Sequence, residues 1–179
     1  MKSAPAFSRG FLKKCAEAGA LAAALLGCPA QQVQPTQERC SAAAVDGVWR
    51  VGLDDGSTAT IIVDAKQPYL RSPDECKAAG RVWRDGECLT LLGDGKLESV
   101  IDHEIGRLPK GSRLYGRVWT EGATVVGRYT RARMPNGEEH EVCVSLSSNG
   151  GLDKLPGSKP GAALVRPRDA ATFITKQWH

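Results

Sequence analysis

Between Gly106 and Arg133 the chain carries seven basic residues, Arg107, Lys110, Arg113, Arg117, Arg128, Arg131 and Arg133, against one acid, Glu121. Tyr115 and Trp119 are interleaved with them. Guanidinium groups grip carboxylates and phosphates through charge and paired N–H donors, and aromatic faces stack on rings or on arginine itself. The chemistry on offer is therefore capture of an anion: a phosphate, a polyanionic glycan or a nucleic acid. A plainer use of the same residues is also open. The arginines would solvate one side of a sheet while Tyr115 and Trp119 lie under the N-terminal segment.

Candidates for catalysis are fewer. His103 stands in Asp102-His103-Glu104, and His140 in Glu138-Glu139-His140-Glu141. Either histidine beside an acid could serve a small hydrolase, yet both read first as exposed polar clusters. Neither has the His-x-x-x-His or Glu-x-x-His spacing of a metal site. No Gly-x-Ser-x-Gly elbow occurs, and Ser145 and Ser147 have no placed base. Gly93-Asp94-Gly95-Lys96 reads as a lone turn, without the glycine spacing of a phosphate loop. The cysteines lack the tight Cys-x-x-Cys pair of zinc sites. No metal and no cofactor is expected.

The start of the chain carries a different message. Lys2, Arg9, Lys13 and Lys14 precede a short apolar run from Ala18 to Leu26, which ends in Gly27-Cys28. A basic start, a short apolar stretch and a small residue before the cut describe a secretory signal. The run is too short to span a bilayer, and no stretch of about 18 apolar residues occurs elsewhere. Leu25-Leu26-Gly27-Cys28 resembles the lipobox of bacterial lipoproteins, which implies cleavage before Cys28 and a lipid on its sulfur. Ser8 stands where a twin-arginine signal would have its first arginine, so general secretion is favoured. Pro29 replaces the aspartate that retains some lipoproteins at the inner membrane, which favours an outer-membrane address, facing the periplasm or the cell surface. The leader holds four bases and one acid, so its removal lowers the formal charge from +4 to +1.

Residues 28–39 are polar and read as a tether. A single β-rich domain is expected over residues 40–179. Four cysteines remain there, and an even number in an exported chain implies disulfides with three possible connectivities. Ser72-Pro73-Asp74-Glu75 is a helix start, with a capping serine, proline at the first position and acids in the first turn. Strands at 81–83 and 88–92 would follow, turned by Asp85-Gly86. This unit, residues 72–92, is too small to bury a core of its own, so Cys76–Cys88 is its natural staple. Cys40–Cys143 follows by elimination. Each closure is worth roughly 2–4 kcal/mol.

Elsewhere the sequence alternates. Strands are expected at 45–53 and 58–63 around an Asp54-Asp55-Gly56-Ser57 hairpin, and a meander at 113–119, 124–133 and 138–146. Two-residue turns at Glu121-Gly122 and Asn136-Gly137 would set Leu114 opposite Tyr129, Gly116 opposite Gly127, Val118 opposite Val125, and Tyr129 opposite Val144. Both turns agree on one apolar face: Leu114, Val118, Val125, Tyr129, Val142, Val144 and Leu146. The other face carries Arg113, Tyr115, Arg117, Trp119 and Arg128, the expected ligand-binding face, together with Cys143. After Leu146 the chain reads as loop to Gly161, then as short closing strands at 162–166 and 172–178.

The segments Gly106-Arg-Leu-Pro-Lys-Gly-Ser-Arg-Leu-Tyr-Gly-Arg-Val-Trp119, Val126-Gly-Arg-Tyr-Thr-Arg-Ala-Arg-Met-Pro-Asn-Gly137 and Val142-Cys143 resemble a family of short predicted lipoproteins of unknown function from myxobacteria. The resemblance implies the pairing of Cys40 with Cys143 and makes Cys76–Cys88 the staple of an insert. It carries no activity. Members often bear a serine/threonine-kinase label, but this chain has no His-Arg-Asp loop, no Asp-Phe-Gly and no Val-Ala-Ile-Lys strand. Leu108-Pro-Lys-Gly-Ser-Arg-Leu-Tyr-Gly116 is also similar to a segment of the outer-membrane-core subunit of type IV secretion systems.

The sequence thus leads to a mainly β fold, a small antiparallel sandwich or partly open barrel with one short helix in the stapled insert. The expected role is a lipid-anchored envelope protein that binds or supports rather than catalyses. Its expected partners are the membrane, through Cys28, and an anionic envelope ligand or a protein, with nucleic acid not expected. A small hydrolase using His103 or His140, and a subunit of an envelope or secretion complex, are the alternatives.

Overall fold

The computed structural model describes residues 35–178. The expected leader, Cys28 and most of the tether lie outside the described residues. In chain order the elements are α1 (Ala42–Arg50), β1 (Thr58–Ile62), α2 (Pro73–Ala78), β2 (Trp83–Arg84), β3 (Glu87–Cys88), β4 (Thr90–Gly93), β5 (Gly95–Ile101), β6 (Arg113–Trp119), β7 (Thr124–Arg133), β8 (Glu139–Leu146), β9 (Leu152–Asp153), β10 (Ala162–Val165) and β11 (Arg168–Phe173).

Six strands pair in the order β6-β5-β1-β11-β8-β7, and β7 pairs again with β6, so the sheet closes on itself. Every pairing is antiparallel. The result is a barrel whose interior is filled by alternate side chains, the arrangement expected of so few strands. Leu114, Val118, Val125, Tyr129, Val142, Val144 and Leu146 all point inward and are at most 1% exposed. Ile61, Ile101 and Phe173 complete the same core. One polar pair is enclosed with them. Ser99 Oγ donates to the Val63 carbonyl and lies 2.7 Å from the Tyr129 hydroxyl, so the hydroxyl of Tyr129 donates to Ser99 in turn. Burial pushes the Tyr129 phenol well above its ordinary pKa and keeps it neutral.

The expected strand at 45–53 is instead helix α1. Ser41 caps it by accepting from Ala44 N at 3.1 Å, and three consecutive alanines open it. Ala44, Gly47 and Val48 are buried at helical spacing rather than in the alternation of a strand. Gly47 is required by the packing, since a Cβ there would lie 1.8 Å from the Glu141 carbonyl of β8. The turn at Asp54 to Ser57 exists, with Ser57 N bonded to Asp54 O, but it joins α1 to β1. β1 pairs with β11 and β5 rather than forming a local hairpin.

Other expected elements move less. The insert is as expected in kind: Ser72 caps α2, Pro73 opens it, and Asp85-Gly86 turns β2 into β3 with both φ angles positive. The stretch 90–93 leaves the hairpin and pairs with β10. The closing strand β11 spans Arg168–Phe173, earlier than the expected 172–178, because Arg168 to Thr172 pair along β1. A short β9 interrupts the expected loop and pairs with β7. Strand β5 was not expected at all.

Register explains why the apolar face survives imperfect turns. The β6–β7 connection is four residues long, so Val118 faces Gly127 and Leu114 faces Ala132. That is a displacement from the two-residue expectation, with a bulge after Tyr115, and it returns the same side chains to the same face. The β7–β8 turn holds three residues, with Met134 N bonded to Glu138 O and Gly137 at φ 91°. A second irregularity between Tyr129 and Arg131 then restores Tyr129 opposite Val144.

Both disulfides form as expected, Cys40–Cys143 and Cys76–Cys88. Such bonds are the state of an oxidising compartment. Cys143 points out of the barrel and is buried against Ala44, Ile174 and Trp178, a second apolar cluster beneath α1. No helix among the described residues is long and apolar enough to cross a membrane.

Candidate functional site

Strands β5, β6 and β7 lie side by side, and their outward side chains form rows across the barrel wall. Lys96 stands opposite Arg117, and Arg117 opposite Arg128. Three cations in one transverse row repel one another, because like charges directly opposite on neighbouring strands are destabilising. The next row reads Glu98, Tyr115, Arg131, Glu141, in which charges alternate in sign. The row beyond it ends in Arg113, Arg133 and Glu139. Compensation is local there: Arg113 bonds Glu98, and Glu139 lies 3.3 Å from Arg131 and 3.7 Å from Arg133.

The row Lys96, Arg117, Arg128 borders a groove of about 860 Å³. Six bases and three acids line it, so its field is positive. Lys96 and Arg117 are exposed and have no acidic partner among the described residues. Arg117 packs over Trp119 at 5.5 Å. Arg131 lies 4.8 Å over Tyr115, which adds a second cation–aromatic pair to the rim.

Arg128 is different in kind. Only 6% exposed, its guanidinium sits 5.9 Å from the ring of Trp119 and 5.2 Å from that of Trp178. Nη2 donates to the Thr36 carbonyl at 2.9 Å, and Glu38 Oε2 stands 3.8 Å from Nη1. Nε is buried without a hydrogen-bond partner among the described residues. Burial lowers the Arg128 pKa from its ordinary value and Glu38 raises it, but a guanidinium remains charged. Residues 36–38 therefore lie over the Arg128 end of this face.

Of the five residues expected to form the binding face, Tyr115, Arg117, Trp119 and Arg128 line the groove together. Arg113 does not line it and is engaged by Glu98. Sequence reasoning missed Lys96, Arg131 and Trp178 as groove residues. Lys96 was hidden because its strand read as a turn. Trp178 was hidden because only the disulfide and the C-terminal fold-back bring it to Arg128.

The histidines are apart from this groove. His103 is exposed, 3.9 Å from the buried carboxylate of Asp102, which Arg168 approaches to 2.8 Å and Lys110 to 3.4 Å. His140 is more enclosed than expected, with its side chain 14% exposed. Its Nε2 lies 3.0 Å from Glu138 Oε1, off the hydrogen-bonding direction. Among the described residues no group of three His, Cys, Asp or Glu side chains is placed to hold a metal ion. A smaller, polar recess of about 400 Å³ lies between residues 147–153, Thr124 and Asp169.

No protein-family model matches the chain, and no curated protein matches it.

Proposed function

We propose that the chain is a non-enzymatic binding module of the cell envelope that holds an anionic ligand in the groove over β5, β6 and β7. The observation that carries this reading is the row Lys96, Arg117, Arg128, in which two exposed cations with no acidic partner among the described residues stand beside a third that Glu38 offsets only from 3.8 Å. A fold tolerates a local conflict of this kind where a ligand relieves it. The rings of Tyr115 and Trp119 give the groove an apolar border, so that binding combines charge with contact. The proposal extends to the anchor. A lipid on Cys28, with residues 29–39 as tether, would hold the barrel at an outer membrane, and two acyl chains give stable attachment where one does not. The two disulfides favour an exported location.

Titration of the full chain with dextran sulfate tests the groove. Binding is expected in low salt and to weaken as salt rises. Lys96→Glu with Arg117→Glu is expected to weaken it by about tenfold or more, each reversal removing one attraction and adding one repulsion. Unchanged affinity in the double variant would refute the site. The intact mass of the native protein under non-reducing conditions tests the anchor, with cleavage before Cys28, added acyl mass and two disulfides expected together.

A further inference from the structure

We infer that residues 36–38 form a displaceable plug over Arg128, and that the ligand which replaces them is an acidic saccharide chain bearing carboxylates. The inference rests on the binding role proposed above.

With Trp119 and Trp178 against it, the Arg128 guanidinium has its N–H groups left for in-plane contacts. The plug serves those groups poorly. It offers one carbonyl to Nη2, from Thr36, and holds the Glu38 carboxylate 3.8 Å from Nη1 while 70% of that side chain remains exposed. Nε has no hydrogen-bond partner among the described residues and is shielded from solvent. A free carboxylate lying in the guanidinium plane makes two parallel N–H···O bonds, the strong mode for this pair. The position is thus occupied by a weak stand-in for the group it suits best.

The plug is also built to lift. Trp178 N donates to the Glu38 carbonyl at 3.1 Å, and Gln177 reaches Gln37 through exposed side chains at 3.2 Å. Beyond these, the chain is fixed at Cys40, by the disulfide to Cys143 and by Cys40 N donating to Lys176 O at 3.1 Å. Residues 36–38 can therefore leave the groove while the barrel and its second apolar cluster stay closed.

The row sets the ligand's form. Neighbouring strands lie about 4.8 Å apart, so Lys96, Arg117 and Arg128 span about 10 Å. One small anion cannot engage all three, whereas a chain with a charge on each unit can. The partly exposed rings of Tyr115 and Trp119 flank the row and suit the C–H faces of sugar rings. Carboxylate rather than phosphodiester is favoured by the carboxylate already parked beside Arg128, that of Glu38.

The test compares trigalacturonate, galacturonate and a single-stranded oligonucleotide as probes on the full chain, with Glu38→Gln and Arg128→Lys variants. Trigalacturonate is expected to bind at least tenfold more tightly than the monomer. Glu38→Gln, a change at an exposed side chain that leaves the barrel intact, is expected to tighten it by about two- to fivefold, the worth of a long, half-exposed ion pair that no longer has to be broken. Arg128→Lys keeps the charge, loses the fork and should weaken binding tenfold or more. Unchanged or weaker binding by Glu38→Gln overturns the plug. Equal affinity for monomer and trimer, or tighter binding of the oligonucleotide, overturns the ligand class. If dextran sulfate binds through Lys96 and Arg117 while trigalacturonate does not bind, this inference fails and the anion-binding role stands. If neither binds, both fail.

Discussion

Lys96 illustrates how a single residue can serve binding at the expense of the fold. It stands directly opposite Arg117 on the neighbouring strand and has no acidic partner among the described residues. Lys96→Thr keeps a good strand former and removes one repulsion. The ligand-free protein should become more stable by about 0.2–1 kcal/mol in low salt. Thermal denaturation should show that gain shrinking in high salt, where the repulsion is screened, while affinity for dextran sulfate falls. Asp169 gives a second residue-scale test with a sign fixed by its pKa. Burial raises it above the ordinary 3.8, against a smaller lowering by its bond from Ala170 N. The unfolded chain releases this proton more readily than the folded one, so the charge weakens the fold once the pH rises through the folded pKa. Asp169→Asn should therefore raise the melting temperature at pH 7. The difference should vanish below the unfolded carboxylate range, where Asp169 is protonated in both states.

At the scale of elements, legibility in the sequence followed the source of each element's stability. The insert was readable because its signals are local: Ser72 caps, Pro73 starts, Asp85-Gly86 turns, and Cys76 with Cys88 closes it. The apolar face of β6, β7 and β8 was readable because side-chain alternation has a period of two. A register displaced by two residues, or a turn lengthened and then corrected by a bulge, leaves the same side chains inside. Strand β5 was obscured by Ser99, a polar residue at an inward position that only Tyr129 and the Val63 carbonyl make acceptable. Helix α1 was obscured because its valines and tryptophan favour strands, and what settles the matter is the close contact with β8. That contact can be tested. Gly47→Ala raises helix propensity, so a free helix would gain from it. Here the added Cβ meets the Glu141 carbonyl, and chemical denaturation should show a loss of about 1–3 kcal/mol.

At the scale of the described residues the protein is a closed barrel with residues 36–40 and 174–178 laid against one outer wall and tied there by Cys40–Cys143. With a sequence separation of 103 between the cysteines, chain entropy puts this closure at or just above the upper end of the usual range, about 4–5 kcal/mol. The same tie brings Trp178 and the plug to Arg128, so stability and the groove depend on one bond. Four of the five residues singled out from sequence meet in that groove, while Lys96, Arg131 and Trp178 enter it only through pairing and fold-back that no local pattern records. The four tryptophans report on this arrangement directly, since Trp119 and Trp178 line the groove and Trp49 and Trp83 do not. Two-dimensional NMR of the indole N–H signals during titration with dextran sulfate is the most direct measurement. The account predicts saturable shifts at Trp119 and Trp178, none at Trp49 and Trp83, and loss of those shifts in Lys96→Glu with Arg117→Glu. Binding that leaves Trp119 and Trp178 unmoved, or that persists in the double variant, would contradict it.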